Sequence, residues 1–100
     1  MKYFDFLQKK HALDARLGFE KVDLQLLEEI AIAAHKDEPL SVTEAMVLRQ
    51  LASPATIHRA LDRLLASGMV KHKNVEDNRT KRLFPTTMAK KYFRLLEKLL

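Results

Sequence analysis

The chain has no cysteine and no tryptophan among its 100 residues, and it has only two glycines. Without cysteine, the protein can form no disulfide scaffold, thiol redox switch or cysteine-based zinc site. The two glycines, Gly18 and Gly68, stand alone, so the sequence offers no glycine-rich loop to cradle a phosphate. These absences exclude several classes of cofactor and nucleotide site.

Long apolar runs and metal-ligand patterns are missing as well. No segment approaches the roughly 20 apolar residues that span a bilayer. The N-terminus lacks the segments of a secretory signal, so we expect a cytoplasmic protein without membrane insertion. The four histidines are scattered at spacings that define no metal site. We therefore expect one domain over residues 1–100, with no catalysis, no cofactor and no metal.

The net charge of +5 is unevenly distributed along the chain. Residues 1–50 carry seven basic and nine acidic side chains, whereas residues 70–100 carry nine basic and three acidic ones. A basic patch confined to one region is typical of phosphate binding. A solvated terminal helix would explain the charges after residue 89. It explains the earlier ones less well, namely Lys71, Lys73, Arg79, Lys81 and Arg82.

Helical spacing and capping residues predict three helices in the first half of the chain. The first covers residues 3–16, and the second covers 23–35 with its first residue as the N-cap. The third runs over about 42–50 and is opened by a capping box, in which Ser41 and Glu44 each accept a hydrogen bond from the other's backbone amide.

A fourth helix over residues 54–67 carries the most information. Ser53 suits its N-cap, Pro54 its first position, and Gly68 the residue past its end. An apolar stripe faces one way, formed by Ile57, Leu61, Leu64 and Leu65. The outward residues are Ala55, Thr56, His58, Arg59, Asp62 and Arg63. This pattern suits a helix that reads the DNA major groove, although an ordinary amphipathic surface helix would also show it.

After the fourth helix the pattern changes to the alternation of strands. Residues 70–84 predict a basic hairpin around a polar tip, and residues 88–100 predict a last helix capped by Thr86 or Thr87. Helix, helix, short strand, helix-turn-helix and hairpin follow in that order. The predicted fold is therefore mainly α with a small β-hairpin, arranged as a winged helix-turn-helix.

Two groups of residues repeat known signatures at the correct spacing. The first group is Ser53, Thr56, Ile57, Arg59, Leu65, Gly68, Met69 and Val70, and the second is Asp77, Arg79, Leu83, Pro85, Thr86 and Ala89. With both, the chain resembles the MarR-type family of bacterial transcription regulators over about residues 18–90. It departs from that pattern at Pro85, where leucine is usual, at Ala89, where glycine is usual, and in its short flanking helices.

The resemblance implies a dimeric regulator of transcription that binds double-stranded DNA, which we interpret as a repressor. Helix 54–67 would lie in the major groove and the wing, 70–84, in the minor groove. In the resembled family the arginine at the position of Arg79 enters the minor groove, and Asp77 would orient it through an ion pair. A plain surface ion pair is the alternative for these two residues.

We expect eight residues to contact DNA. Arg59 and His58 could reach base edges, since arginine on guanine is the most frequent specific contact. Arg63 would either hold a phosphate or pair with Asp62. The complete predicted set is Ser53, Thr56, His58, Arg59, Arg63, Lys73, Arg79 and Lys81.

The two ends of the chain predict a homodimer. Residues 1–17 and 86–100 are candidate dimerisation helices, with apolar contacts expected from Phe4, Leu95, Leu96 and Leu99. The alternative is that both ends pack on their own domain. Two other functions stay open: a winged-helix module that binds a protein partner without DNA, and a plasmid or phage replication or partition factor. A small-molecule effector is also left open.

Overall fold

The structure is a computed structural model, and it describes residues 1–75 and 80–100. The described residues form five helices and one two-stranded antiparallel sheet. The helices are α1 (Lys2–Leu17), α2 (Lys21–His35), α3 (Val42–Met46), α4 (Pro54–Ala66) and α5 (Thr87–Leu99), and the strands are β1 (Val70–Asn74) and β2 (Lys81–Pro85). This order confirms the predicted helical domain with a small hairpin. Within the described ranges, no helix is long and apolar enough to cross a membrane.

The core lies between α2, α4 and the hairpin. Leu26, Leu27 and Ile30 of α2 are fully buried because they recur at helical spacing on one side of that helix. They belong to one apolar cluster with Ile57 and Leu64 of α4, which are also fully buried. The winged-helix body therefore contains the bulk of the buried apolar surface.

Helix α4 begins and ends where its sequence signals predict. The Ser53 hydroxyl accepts the Thr56 amide at 3.4 Å, and Pro54 occupies the first turn. Gly68 has φ +80°, a left-handed conformation that a glycine adopts without steric cost. The predicted apolar stripe also faces the core, with Leu61 buried and Leu65 partly buried. Local chemistry thus fixes the bounds of this helix.

The hairpin is tied to the chain before α3 by an isolated bridge and one backbone hydrogen bond. Its two strands pair antiparallel, with Val70 opposite Pro85 and Asn74 opposite Lys81. On the outer side of β2, the Leu83 amide donates to the Leu40 carbonyl at 2.8 Å, and Ser41 forms an isolated bridge with Arg82. This single bridge stands where a short strand was predicted, and it fixes the hairpin against the start of α3.

Helix α5 starts from the base of the hairpin and returns toward α1. Of the two predicted N-caps, Thr86 is the one that caps α5. The Thr86 hydroxyl also donates to the Gly68 carbonyl at 2.6 Å. Further along α5, the Tyr92 hydroxyl donates to Asp14 of α1 at 2.6 Å. These bonds link the last helix to the end of α4 and to the first helix.

Two predicted helix bounds are wrong. Helix α2 begins at Lys21, and Asp23 is not its N-cap but lies in the first turn, where its carboxylate accepts the Glu20 amide at 3.1 Å. Helix α3 ends at Met46 instead of near residue 50, because Leu48 and the residues after it form successive turns. Those turns bring Leu48 and Leu51 against the core, so tertiary packing overrides the helical pattern.

Candidate nucleic-acid interface

The exposed side of the first two turns of α4 carries a connected row of polar side chains. The Ser53 hydroxyl donates to the Thr56 hydroxyl at 3.1 Å, and the Arg59 guanidinium donates to the same Thr56 oxygen at 3.3 Å. These residues are spaced by three, so they lie along one side of the helix. We call Ser53, Thr56 and Arg59 the N-terminal row. Sequence reasoning predicted each of them separately, and the structure brings them together.

The N-terminal row places the Arg59 charge at the positive end of the α4 dipole. Pro54 has no amide proton. The amides of Thr56 and Ile57 are bonded to Ser53, so the helix dipole and the guanidinium supply the attraction for an anion here. Arg59 extends back along the row and adds its own charge there. An arrangement of this kind can hold an anionic oxygen, such as a phosphate, or present a guanidinium to a base edge.

His58 lies on the solvent side of α4 next to Asp62. Its Nδ1 atom lies 3.3 Å from a carboxylate oxygen of Asp62, and both side chains are more than 60% exposed (62% and 63%). Asp62 contacts His58 and Arg63 contacts Asp23, so the alternative in which Arg63 pairs with Asp62 is wrong. The contact of His58 with DNA stays a prediction.

Arg63 lies one turn beyond Arg59 on the same side of α4, and its side chain extends to α2. Its Nη2 atom lies 2.7 Å from one carboxylate oxygen of Asp23, and its Nε atom lies 3.0 Å from the other. Asp23 is fully buried, whereas the Arg63 side chain is 40% exposed. The hydrogen bonds with Asp23 raise the pKa of the Arg63 guanidinium. This contact gives Arg63 a partner within the protein, and its contact with DNA stays a prediction.

Sequence reasoning missed this ion pair, although the pattern contains a signal for it. Asp23 precedes Leu27 by four residues and Ile30 by seven, so it falls on the apolar stripe of α2. A carboxylate on a buried stripe requires a cation or several donors nearby. That requirement indicates a buried pair, but the sequence does not say which arginine supplies the charge.

The hairpin presents its basic residues on two faces. Cross-strand partners share a face and successive residues alternate, so Lys71 and Lys73 lie with Phe84, while Lys81 lies on the other side. The Lys73 ammonium is 5.8 Å from the centre of the Phe84 ring, within the range of a cation–π contact. The structure therefore places Lys73 and Lys81, both expected to contact DNA, on opposite faces of the hairpin.

Arg82 anchors the hairpin to α3. Its guanidinium donates to Glu44, and the same carboxylate accepts the Ser41 amide at 2.8 Å. The bonds from Ser41, followed by Arg82, hold the pKa of the Glu44 carboxyl below its ordinary value. The predicted capping box is thus confirmed, and it also serves as the attachment point of β2.

A cleft of about 500 Å³ opens between the hairpin, the end of α2 and the start of α5. Its polar lining consists of His35, Lys71, Lys73 and Lys90, beside the rings of Phe84 and Phe93. The cleft extends the basic surface of the hairpin toward α5. It was not predicted, because its residues are dispersed in the sequence.

Two predicted site residues, Asp77 and Arg79, lie outside the described residues. Their roles stay predictions from the sequence. Over residues 1–75 and 80–100, no group of three or more histidine or acidic side chains could hold a metal ion.

Comparison with solved structures finds the same fold in transcription regulators of Staphylococcus aureus. MepR, a transcription regulator of the multidrug efflux pump MepA, matches with a TM-score of 0.67 at 16% identity, over 97% of this chain and 69% of MepR. A MepR–DNA complex matches with a TM-score of 0.68 at 16% identity, over 93% of this chain and 74% of that one.

A third structure, S. aureus MarR in complex with salicylate and kanamycin, matches with a TM-score of 0.65 at 18% identity, over 96% of this chain and 61% of that one. No protein-family model matches the sequence, and no curated protein matches it either. At these identities the likeness is one of fold. The chain therefore has the winged-helix fold that its resemblance to the MarR-type regulators predicted.

Proposed function

We propose that this chain binds duplex DNA as a transcription regulator, with α4 in the major groove and the hairpin at the minor groove. The observation that carries the proposal is the N-terminal row of α4. It combines a helix N-terminus, two hydroxyls and a guanidinium on one exposed edge. Arginine is the most frequent reader of guanine, and helix N-termini hold phosphates. The likeness to MepR, whose complex with DNA is among the matching structures, supports DNA as the partner.

The basic hairpin supplies the second part of the proposed interface. Lys73 and Lys81 are exposed and lie on opposite faces of the ribbon, so they can approach different phosphates. We keep the role of Arg79 in the minor groove as a proposal from the sequence resemblance. A protein that neutralises several phosphates releases counterions, which makes its affinity depend steeply on salt.

We also propose that the chain acts as a homodimer and represses by occluding its site. Phe4 is 63% exposed, and an apolar groove of about 350 Å³ runs between α1 and α5. That groove is lined by Ala12, Leu13, Leu95 and Leu99 together with two basic residues. A two-fold dimer through these helices would present two copies of α4 to a roughly palindromic site.

The test of DNA binding is fluorescence anisotropy with duplex genomic fragments at several salt concentrations. We expect affinity to fall steeply with salt. On a duplex selected by the wild type, Arg59→Ala should lose about 1–3 kcal/mol of binding free energy. Lys2→Ala is the control, because it removes the same charge from the exposed start of α1. Absence of binding at low salt would overturn the proposal, and equal losses in both variants would overturn the role of the N-terminal row.

The test of the dimer is sedimentation equilibrium on the free protein. We expect a mass near twice the 11.6 kDa of the chain at micromolar concentration. A monomer at high micromolar concentration would overturn the dimer while leaving DNA binding to be judged by the anisotropy experiment.

A further inference from the structure

The contact between α2 and α4 is directional as well as apolar. Asp23 is a charged residue buried in the core, and its carboxylate accepts three hydrogen bonds from Arg63 at 2.7 to 3.2 Å and one from the Glu20 amide at 3.1 Å. A planar guanidinium that meets a planar carboxylate through two of its nitrogens fixes both separation and relative rotation. The pair is therefore a geometric constraint between the two helices.

The constraint acts on the face of α4 that carries the N-terminal row. Thr56, Arg59 and Arg63 stand at positions i, i+3 and i+7, which fall on the same side of a helix. A rotation of α4 that moved Arg63 off Asp23 would turn Thr56 and Arg59 by the same angle. Apolar packing of Ile57, Ala60 and Leu64 is less directional and tolerates small rotations more readily.

Stability alone does not account for an ion pair at this place. Replacing a buried ion pair by apolar residues of similar volume is often neutral or stabilising. A pair that holds α4 at one defined angle to α2 imposes a directional constraint that apolar residues do not impose. The exposed Glu20 carboxylate adds a looser contact, 3.5 Å from the same guanidinium.

We infer that Asp23 and Arg63 are positioning residues, which hold α4 at the angle needed to discriminate between DNA sequences without touching DNA. This inference rests on the proposed function. The pair is expected to affect sequence discrimination and not the phosphate contacts. Loss of the pair should reduce sequence discrimination, while the number of phosphate contacts stays the same.

The test uses the double variant Asp23→Asn, Arg63→Met. The amide oxygen introduced by Asp23→Asn can still accept the Glu20 amide, and Arg63→Met keeps an apolar stem without leaving a buried charge unpaired. Thermal unfolding by circular dichroism establishes that the variant is folded. Single variants at these positions would leave one charge without its partner, so they are not used.

Binding is measured by anisotropy on two probes, each in a salt series. One probe is a duplex selected by the wild type from a random pool, and the other is a shuffled duplex of equal length and composition. We expect the double variant to bind the shuffled duplex as the wild type does, with the same slope of log affinity against log salt. Its preference for the selected duplex should fall about tenfold, the size of one lost base-pair contact. Glu20→Gln, which leaves the bidentate pair intact, is the matched control and should keep the preference.

The outcomes distinguish this inference from the proposed function. A slope reduced by about one in the double variant would place Arg63 on a phosphate and overturn the inference. A fully retained preference, or a wild type that binds all duplexes alike, would overturn it while leaving DNA binding intact. A wild type that binds neither probe at low salt would overturn the proposed function, and the inference with it.

Discussion

Helices α1 and α2 are neighbours in the chain and nearly equal in length, at 16 and 15 residues, but they relate to the core in opposite ways. Helix α2 buries five residues, whereas no residue of α1, all of which is described, is fully buried. The reason is visible in the sequence, since α2 repeats leucine and isoleucine at helical spacing and α1 interrupts its apolar residues with lysines and aspartates.

The winged-helix core is therefore built almost without α1. The body from α2 to the start of α5 closes its own core, and α1 is held at the edge by Leu13 and by the bond from Tyr92 to Asp14. Helix α1 thus keeps aromatic surface at Tyr3 and Phe4 that the described chain does not cover. In the proposed dimer, this exposed surface of α1 would be available to a second copy without a change in α4.

The largest expected difference between the two helices is in stability. Leu27→Ala in α2 should lower the free energy of unfolding by about 2–5 kcal/mol, because it opens a cavity in a fully buried site. Leu13→Ala in α1 should lower it by roughly 1 kcal/mol or less, since that side chain is only partly buried. Urea unfolding followed by circular dichroism measures both. Equal losses would show that α1 belongs to the same cooperative core.

The next difference concerns association. Leu95→Ser should raise the dissociation constant of the proposed dimer by about tenfold or more, because it removes apolar surface at the α1–α5 groove. Ile32→Ser is a matched control, since Ile32 lies on α2 and both side chains are 49% exposed. Sedimentation equilibrium compares them. A similar weakening by Ile32→Ser would move the interface away from the terminal helices.

How far the sequence predicted this molecule depends on the range of the interactions involved. The bounds of α4, the cap of α3 and the hairpin were predicted because Ser53, Gly68 and the Ser41–Glu44 box act on residues next to them. The end of α3 was wrong because Leu48 and Leu51 turn toward a core assembled from distant segments. Interactions between neighbouring residues can be predicted from the sequence, whereas the direction in which a turn enters the core cannot.

The candidate site follows the same division. The N-terminal row could be predicted because its three residues are spaced by three along one helix. The partner of Arg63 could not, because Asp23 lies forty residues away and Asp62 lies next to it in sequence. The split of Lys73 and Lys81 between two faces depends on the strand register, which the polar stretch between the strands left undefined.

A smaller effect is expected at the bond that joins α1 to α5. Burial, followed by the bond to Asp14, raises the pKa of the Tyr92 phenol well above its ordinary value. Since the folded pKa exceeds the unfolded one, the stabilisation is complete below a pH of about 10 and is lost as the pH rises toward the folded value. Tyr92→Phe should cost about 1–2 kcal/mol at neutral pH. It should also flatten the alkaline loss of stability, which urea unfolding at pH 7 to 11 would detect.

If Tyr92→Phe still loses stability as the pH rises, that loss belongs to other titratable groups. In that case the contact between α1 and α5 would be mainly apolar. The aspartate would then be satisfied by Lys10, which lies 2.7 Å from it on α1.

The smallest effect is expected at the exposed tether of the hairpin, which sharpens the contrast with the buried Asp23–Arg63 pair. Glu44→Gln removes the negative charge of the carboxylate that accepts hydrogen bonds from Ser41 and Arg82. It should lower the free energy of unfolding by under about 1 kcal/mol because the pair is exposed. The folded pKa of Glu44 lies below its unfolded value, so its contribution is present above a pH of about 4.3 and is lost as the pH falls through the folded value. Wild type and variant should therefore differ at pH 7 and converge near pH 3 in urea unfolding. A difference that persists at pH 3 would mean that the shape of the Glu44 side chain, and not its charge, holds the hairpin.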